Sequence, residues 1–593
     1  MEAVTAASGT GSKTMADLLP LAAEKYAGQT ALKHKAGDEW VDVSYEELGR
    51  AVSETARGLI DLGLEPGDKV SILSHTRPDW TYANFAILSA GTVSVSIYQT
   101  NSAEECHYVL EHSESKAVFV EDAEQLAKVR EVQDQLPNLE HVVIFDPSGD
   151  TGSAISLAEL RERGASRDPA ELTARVDAIG KDDLAITIYT SGTTGPPKGC
   201  LLTHGNYRDV TSMTESMGAL AQGDSVYLFL PLAHAFAKLI QFVALDLGGT
   251  IAYWEKDATK IVPNLMEVKP TYFPSVPRMF EKIYTLATSS AEDPEQLEQA
   301  IALGLKVREL QRNGQEVPAE LQGHFDAAEE KLYKNVRALF GGNIRECVTG
   351  AAPIAQEILE FFYACGVPVM EGYGMTETST VASTNTPENF RFGSVGQPLP
   401  GVDAKVAEDG ELLLRGPNIF QGYYKNAEAT SETLVDGWLH TGDLGKVDED
   451  GFIYIVGRKK DIIITAGGKN ITPANLENGL KQTRWISQAV VIGDRRPYLV
   501  AVITVDPEEI PAFAAQHGIE PDQVLESAEL RAEVQKAVDD VNSKVGPVEQ
   551  IKRFEILDHD LSQETGELTP TLKVKRNVVN EKFADVVDGM YDR

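Results

Sequence analysis

From about residue 40 the sequence alternates short apolar strands with amphipathic helices, and this alternation restricts the chain to an α/β fold with mostly parallel sheets. Trp40, Val41 and Val43 begin a strand. Ser44 and Glu47 have capping-box spacing. Leu48, Val52, Leu59 and Leu62 keep helical spacing, and Gly63 falls where a helix C-cap belongs. The pattern predicts strands at Val70–Leu73, Val93–Ile97, Ala117–Val120 and Val142–Phe145, with helices over 79–90, 103–112 and 123–135. The stretch 147–181, rich in Gly, Ser and Asp, reads as a loop before a second α/β block. That block opens with Leu184–Thr190 and runs to about residue 400, interrupted by a charged helical stretch at 277–338. From about 403 the pattern turns to hairpins. Glu411–Leu414 is a strand, and Leu444–Val447 and Phe452–Val456 flank the turn Asp448-Glu449-Asp450-Gly451. After Gly457, the trio Arg458-Lys459-Lys460 leads into a further α+β unit. The expected division is a disordered tail at 1–14, an N-terminal domain at 15–457 and a C-terminal domain at 458–593, with the boundary near 457–461.

Charge narrows the function. Lys+Arg is 54 and Asp+Glu is 90, for a net charge of −36 over 593 residues. Such a chain repels phosphate backbones, which argues against nucleic acid as a partner. A single anionic ligand held by local N–H groups and a few lysines remains compatible with it. Cys106, Cys200, Cys347 and Cys365 have neither CxxC nor metal-ligand spacing, which suits a reducing compartment. No apolar run reaches the roughly 18 residues of a membrane helix, and residues 1–14 lack a secretory signal's hydrophobic stretch. The expectation is a cytoplasmic enzyme or binding protein.

The densest chemistry is Tyr189-Thr190-Ser191-Gly192-Thr193-Thr194-Gly195-Pro196-Pro197-Lys198-Gly199, directly after a strand. Glycines allow a sharp turn that presents N–H groups to an anion. Hydroxyls and a lysine add donors, so the stretch reads as a phosphate cradle. It departs from the P-loop pattern, because Pro197 precedes the lysine and Gly199 follows it.

This stretch resembles the nucleotide-binding loop of the adenylate-forming superfamily, which includes acyl-CoA synthetases, luciferases and adenylation domains. Further segments resemble that family in order along the chain. They are Pro231-Leu232-Ala233-His234-Ala235-Phe236, Val348-Thr349-Gly350-Ala351-Ala352-Pro353 and Glu371-Gly372-Tyr373-Gly374-Met375-Thr376-Glu377-Thr378. Thr441-Gly442-Asp443, Gly457-Arg458-Lys459-Lys460-Asp461 and Thr571-Leu572-Lys573-Val574-Lys575 follow. The resemblance implies a large N-terminal adenylation domain of α/β sheets with a small β-barrel-like part, and a smaller mobile C-terminal α+β domain. Gly457 and Lys460 would lie at the hinge. A helical insertion at about 281–340, after Val276-Pro277-Arg278, resembles that of long-chain acyl-CoA synthetases. By itself this insertion also reads as a solvent-facing helical hairpin with no catalytic role.

The resemblance also implies roles. Thr190, Ser191, Gly192, Thr193, Thr194, Gly195 and Lys198 would hold ATP phosphates, with Gly350, Ala351, Glu371, Gly372, Tyr373, Thr376, Asp443 and Arg458 around the rest of the nucleotide. Thr193 and Glu377 would contact Mg²⁺, a hard cation that prefers oxygen. Glu377 also fits a turn cap, and Asp443 a turn aspartate. His234 is either catalytic or a satisfied core histidine. Lys573 follows five uncharged residues and would be the catalytic lysine, although Thr571-Leu572-Lys573 replaces the S-G-K of many relatives. Lys575 and Arg576 read as surface charges.

The resulting reading is an ATP-dependent long-chain fatty acid–CoA ligase with Mg²⁺, ATP and CoA. Such a substrate is compatible with peripheral membrane contact, and the oligomeric state is left open. Two rivals stand beside it. One is an acyl-adenylate ligase that loads a carrier protein, or a CoA ligase for another carboxylic acid. The other is a non-catalytic nucleotide-binding module, which would need neither Glu377 nor Lys573.

Overall fold

The structure, a computed structural model, describes residues 9–190, 196–288, 293–467, 469–569 and 573–592. Two large sheets organise the N-terminal part. In the eight-stranded sheet, Leu184–Thr190, Val93–Ile97, Lys69–Leu73, Ala117–Val120, His141–Ile144 and Ile155–Ser156 are neighbours in that order and parallel. Lys198–Thr203 folds back antiparallel on Leu184–Thr190, and Gly422–Tyr423 closes that edge. The nine-stranded sheet has a parallel centre that includes Val369–Tyr373, Glu346–Thr349, Tyr272–Ser275, Ser225–Leu228 and Thr250–Tyr253. The expected barrel-like part is a five-stranded antiparallel sheet that includes Glu411–Arg415, Trp438–Val447 and Ile453–Arg458.

Local chemistry accounts for these elements. Ser44 Oγ accepts from the Glu47 N–H at 3.1 Å, and the Glu47 carboxylate accepts from the Ser44 N–H at 2.9 Å, completing the capping box of helix Tyr45–Asp61. Past its end Gly63 has φ of +83°, and the Leu64 N–H reaches the Leu59 carbonyl at 3.2 Å. Helix Ala235–Asp246 is buried almost all round, as its apolar sequence requires, and joins the main core with Pro78–Ser89 and His204–Ser216.

Three expectations are corrected. Residues 147–181 contain two helices, Leu157–Ala165 and Pro169–Ala178, capped by Ser156 and Asp168. Residues 9–14 are anchored: the Thr10 N–H donates to Asp246 Oδ1 at 3.0 Å, and Thr14 is buried. The insertion is also more than a solvent-facing hairpin. Gly304 of helix Pro294–Arg312 lies so close to Ala364 that a Cβ there would stand 2.7 Å from that methyl, and Val307, Phe325 and Tyr333 are buried.

The C-terminal part is built on the sheet Ile486–Ile492, Leu499–Val505 and Ile551–Ile556. Separate apolar clusters cover its two faces, one with Pro473–Leu480 and Ala528–Ser543, the other with Arg576–Lys582 and Ala584–Tyr591. Across the boundary, Arg278 pairs with Asp506, and Lys282 with Glu508 at 2.7 Å. Gly457 is buried, and a Cβ there would meet Thr472 Cγ2 at 2.4 Å. Lys459 pairs with Asp409 at 2.5 Å and Glu411 at 3.2 Å, while Lys460 is exposed.

Candidate active site

Where the C-terminal edges of the two sheets meet the C-terminal part there is a cavity of about 540 Å³. Loops at the C-terminal ends of parallel strands are where α/β folds bind ligands. Thr190, His234, Gly350, Ala351, Gly372, Tyr373, Thr376, Glu377, Arg458 and Lys573 all line it. Residues separated by almost four hundred positions thus line one cavity. Lys198, Glu371 and Asp443 are not among the lining residues. Ser191, Gly192, Thr193, Thr194 and Gly195 lie outside the described residues, so the cradle itself and the Thr193 metal contact are not placed.

Glu377 sits on the short turn Thr376–Thr378 and is buried. Tyr423 donates its hydroxyl to Glu377 Oε1 at 2.7 Å. The Lys198 ammonium stands 4.8 Å from the centre of the same tyrosine ring. No cluster of three or more His, Cys, Asp or Glu able to hold a metal occurs among the described residues. One carboxylate with substrate phosphates is nonetheless a donor set Mg²⁺ accepts, so Glu377 fits that ion.

Asp443 is buried behind the cavity wall. Its Oδ2 accepts from the Tyr373 hydroxyl at 2.6 Å, and Arg458 Nε lies 3.4 Å from Oδ1. Burial raises the Asp443 pKa, against the pull of Arg458 and Tyr373. Burial likewise pushes the Glu371 carboxyl up to about 8.

His234 is the N-cap of helix Ala235–Asp246, and its Nδ1 accepts from the Phe236 N–H at 3.2 Å. Burial first, and Lys573 second, lower its pKa to about 4. The neutral ring therefore carries its proton on Nε2. His234 is both a cap and a cavity residue.

Lys573 enters from the C-terminal part. Its N–H donates to Thr569 Oγ1 at 3.1 Å, its carbonyl accepts from the Thr569 N–H at 2.8 Å, and Leu568 bridges Val574. Burial lowers its pKa to about 8, Arg458 pushes the same way, and Asp443 and Glu377 oppose them. Two neighbours correct the expectation of surface charges. Lys575 lines the cavity as Lys573 does. Arg576 pairs with Glu477, and its Nη1 donates to the Val491 carbonyl at 3.3 Å, fastening the Lys573 segment to the C-terminal sheet. Tyr423 was not foreseen, since its link to Glu377 spans two distant segments. Beyond the polar end, the cavity continues between Phe236, Leu239, Ile240, Val348 and Leu399, giving it an apolar arm.

Residues 19–424 match the AMP-binding enzyme family, and residues 460–593 match the AMP-binding enzyme C-terminal domain. The chain belongs to the AMP-binding enzyme family. It is 41% identical over 567 residues to the long-chain-fatty-acid–CoA ligase FadD15 of Mycobacterium bovis, covering 93% of each chain. It is 34% identical to the long-chain-fatty-acid–CoA ligase ACSBG2 of Xenopus laevis, over 98% of this chain and 84% of that one. Its fold is similar to that of the A-PCP didomain of carboxylic acid reductase from Segniliparus rugosus in complex with AMP, with a TM-score of 0.77, 21% identity and coverage of 98% and 83% of the two chains. No helix among the described residues is long and apolar enough to cross a membrane.

Proposed function

We propose that this protein is an ATP-dependent ligase that activates a long-chain fatty acid as its acyl-adenylate and transfers the acyl group to CoA. The observation that carries the reading is a single cavity holding both halves of the chemistry. Lys573, Arg458 and Glu377 stand at its polar end, and Phe236, Leu239, Ile240, Val348 and Leu399 line an apolar arm. The 41% identity to a long-chain-fatty-acid–CoA ligase supports the same substrate class.

In the first half-reaction a carboxylate oxygen of the fatty acid attacks the α-phosphorus of ATP, and the bond to pyrophosphate breaks. Lys573 donates to the oxygens on which charge grows, and its fixed position means little reorganisation is needed. Arg458 and the Tyr373–Asp443 pair hold the ribose side. His234, which lines the cavity and keeps its Nδ1 on the Phe236 N–H, would donate its Nε2–H to the carboxylate. Glu377 would hold Mg²⁺ together with Thr193, and that ion would offset phosphate charge. In the second half-reaction the C-terminal domain turns about the hinge at 457–461, withdrawing Lys573. The CoA sulfur then attacks the acyl carbonyl carbon, and AMP leaves with the bonding electrons. Cytoplasmic ATP and CoA pools suit such an enzyme, with peripheral membrane contact as the route to a poorly soluble substrate.

The test is pyrophosphate release over saturated acids of six to twenty carbons, with and without CoA. Activity peaks at roughly twelve to eighteen carbons, because each buried methylene contributes about 0.8 kcal/mol, and the acyl-CoA thioester accumulates when CoA is present. A best substrate of four carbons or an aromatic acid, or product formed only on a carrier protein, overturns the reading.

A further inference from the structure

The apolar arm has a floor. Strand Glu346–Thr349 runs along it, and two-residue alternation puts Glu346, Val348 and the following Gly350 on one side. All three line the cavity, and Thr349 joins them at the strand's end. Gly350 is at the nucleotide end, and Glu346 lies four residues back, about 13 Å away at roughly 3.3 Å per residue. Tyr272, the register partner of Glu346 on the neighbouring strand, also lines the cavity, as do Thr214 and Ala219.

Arg345 is not itself a lining residue but backs two that are, Glu346 and Ala219. Its Nη2 donates to Asp224 Oδ2 at 2.6 Å and to the Ala219 carbonyl at 2.9 Å, and its Nη1 donates to Glu346 Oε2 at 3.2 Å. Asp224 is held in turn by the Thr271 hydroxyl at 2.7 Å and the Ala221 N–H at 2.6 Å. The Glu346 side chain is 2% exposed and that of Arg345 is 38% exposed. The guanidinium therefore stands on the solvent side of Glu346, which itself faces the cavity. An alkyl terminus in the arm meets Glu346 and can replace none of those hydrogen bonds, and pushing Glu346 aside would break it from Arg345 while it is still buried.

We propose that Arg345, fastened to Asp224, holds Glu346 in place as the floor of the acyl arm and so sets the chain length the cavity encloses. This rests on the reading of the substrate as a fatty acid. An extended alkyl chain advances about 1.25 Å per methylene, from bonds of about 1.52 Å at tetrahedral angles. The arm thus encloses about ten methylenes, an acid of roughly twelve carbons, and a longer acid must push aside Glu346 and the Arg345 that holds it.

The experiment measures kcat/KM for even-numbered saturated acids of eight to twenty carbons, with ATP, Mg²⁺ and CoA, in the full-length wild type and in Arg345→Ala. Both proteins gain about fourfold per methylene, the equivalent of about 0.8 kcal/mol, up to about twelve carbons. Beyond that the wild type flattens while Arg345→Ala keeps gaining. The variant-to-wild-type ratio at eighteen carbons is then at least tenfold the ratio at ten. Arg345→Met keeps the packed stem without the guanidinium and shows the same trend with a smaller rise, which decides the matter if the alanine variant does not fold. A ratio that is the same at every chain length overturns the floor assignment while leaving the fatty-acid reading intact. A wild type that turns over no fatty acid but does turn over another acid overturns both.

Discussion

Tyr423 and Glu377 are joined by a 2.7 Å hydrogen bond from phenol to carboxylate, with the Lys198 ammonium over the same ring. The contact ties the end of the phosphate-loop segment to the acid that fits Mg²⁺. If Glu377 holds that ion, Glu377→Gln lowers the adenylation rate on the order of 10²–10³, comparable to losing a fixed oxyanion donor, and raises the Mg²⁺ concentration needed for half-maximal rate. Tyr423→Phe costs about tenfold, in line with one hydrogen bond to a charged group. Titrating pyrophosphate release against Mg²⁺ checks both. Near-normal turnover of Glu377→Gln at ordinary Mg²⁺ makes Glu377 a turn residue.

Lys573 has a pKa of about 8 in the folded protein, below its ordinary value, mainly through burial. Its cation is the form that meets the phosphate. The kcat/KM for adenylation, which reports the free enzyme, therefore falls as pH rises through about 8. Stability moves the other way. Between about 8 and the unfolded lysine's value near 10.4, the unfolded chain binds more protons, so this group's contribution to stability rises with pH across that window. In Lys573→Arg the alkaline fall disappears, since a guanidinium stays charged throughout. Persistence of the fall in that variant assigns it to another group.

His234 accepts from the helix N–H of Phe236 and lines the cavity. Asparagine also caps helices well. His234→Asn accordingly keeps the melting temperature within a few degrees of wild type while lowering adenylation at least tenfold. Because burial holds the ring neutral down to about pH 4, the wild type shows no inflection near pH 6.5 from this residue. Full activity in His234→Asn reduces the histidine to a cap.

Arg278 with Asp506 and Lys282 with Glu508 hold the C-terminal domain where Lys573 reaches the cavity. Partly exposed pairs contribute about 0–1 kcal/mol each. Replacing both Arg278 and Lys282 with alanine slows adenylation by about threefold to tenfold, leaves thioester formation from supplied acyl-adenylate unchanged or faster, and barely alters the melting temperature. Equal loss in both steps contradicts a role in holding this pose.

The sequence conveyed the sheets because buried parallel strands are short apolar runs with clear bounds, and Leu184–Thr190 is one of them. It concealed the helices Leu157–Ala165 and Pro169–Ala178 because they bury few side chains, chiefly Leu157, Leu160, Gly164 and Leu172, which leaves a faint period. The site residues were legible as ordered motifs, and the cavity brings most of them together. Tyr423 was not, since its position depends on antiparallel pairing with Cys200 in a distant strand. Lys575 was misjudged because only the bridge between Leu568 and Val574 turns it inward.

If Lys573 serves adenylation alone, the two half-reactions measured separately in Lys573→Ala part ways. The account predicts that pyrophosphate release from ATP and fatty acid falls on the order of 10²–10³ or more, while supplied acyl-adenylate and CoA still give thioester at close to the wild-type rate. A proline at Lys460, which fixes φ at the hinge, gives the reverse pattern, with adenylation spared and thioester formation slowed. If Lys573→Ala damages both half-reactions equally, or Lys575→Ala is the variant that abolishes adenylation, both the lysine assignment and the domain rotation behind it are contradicted.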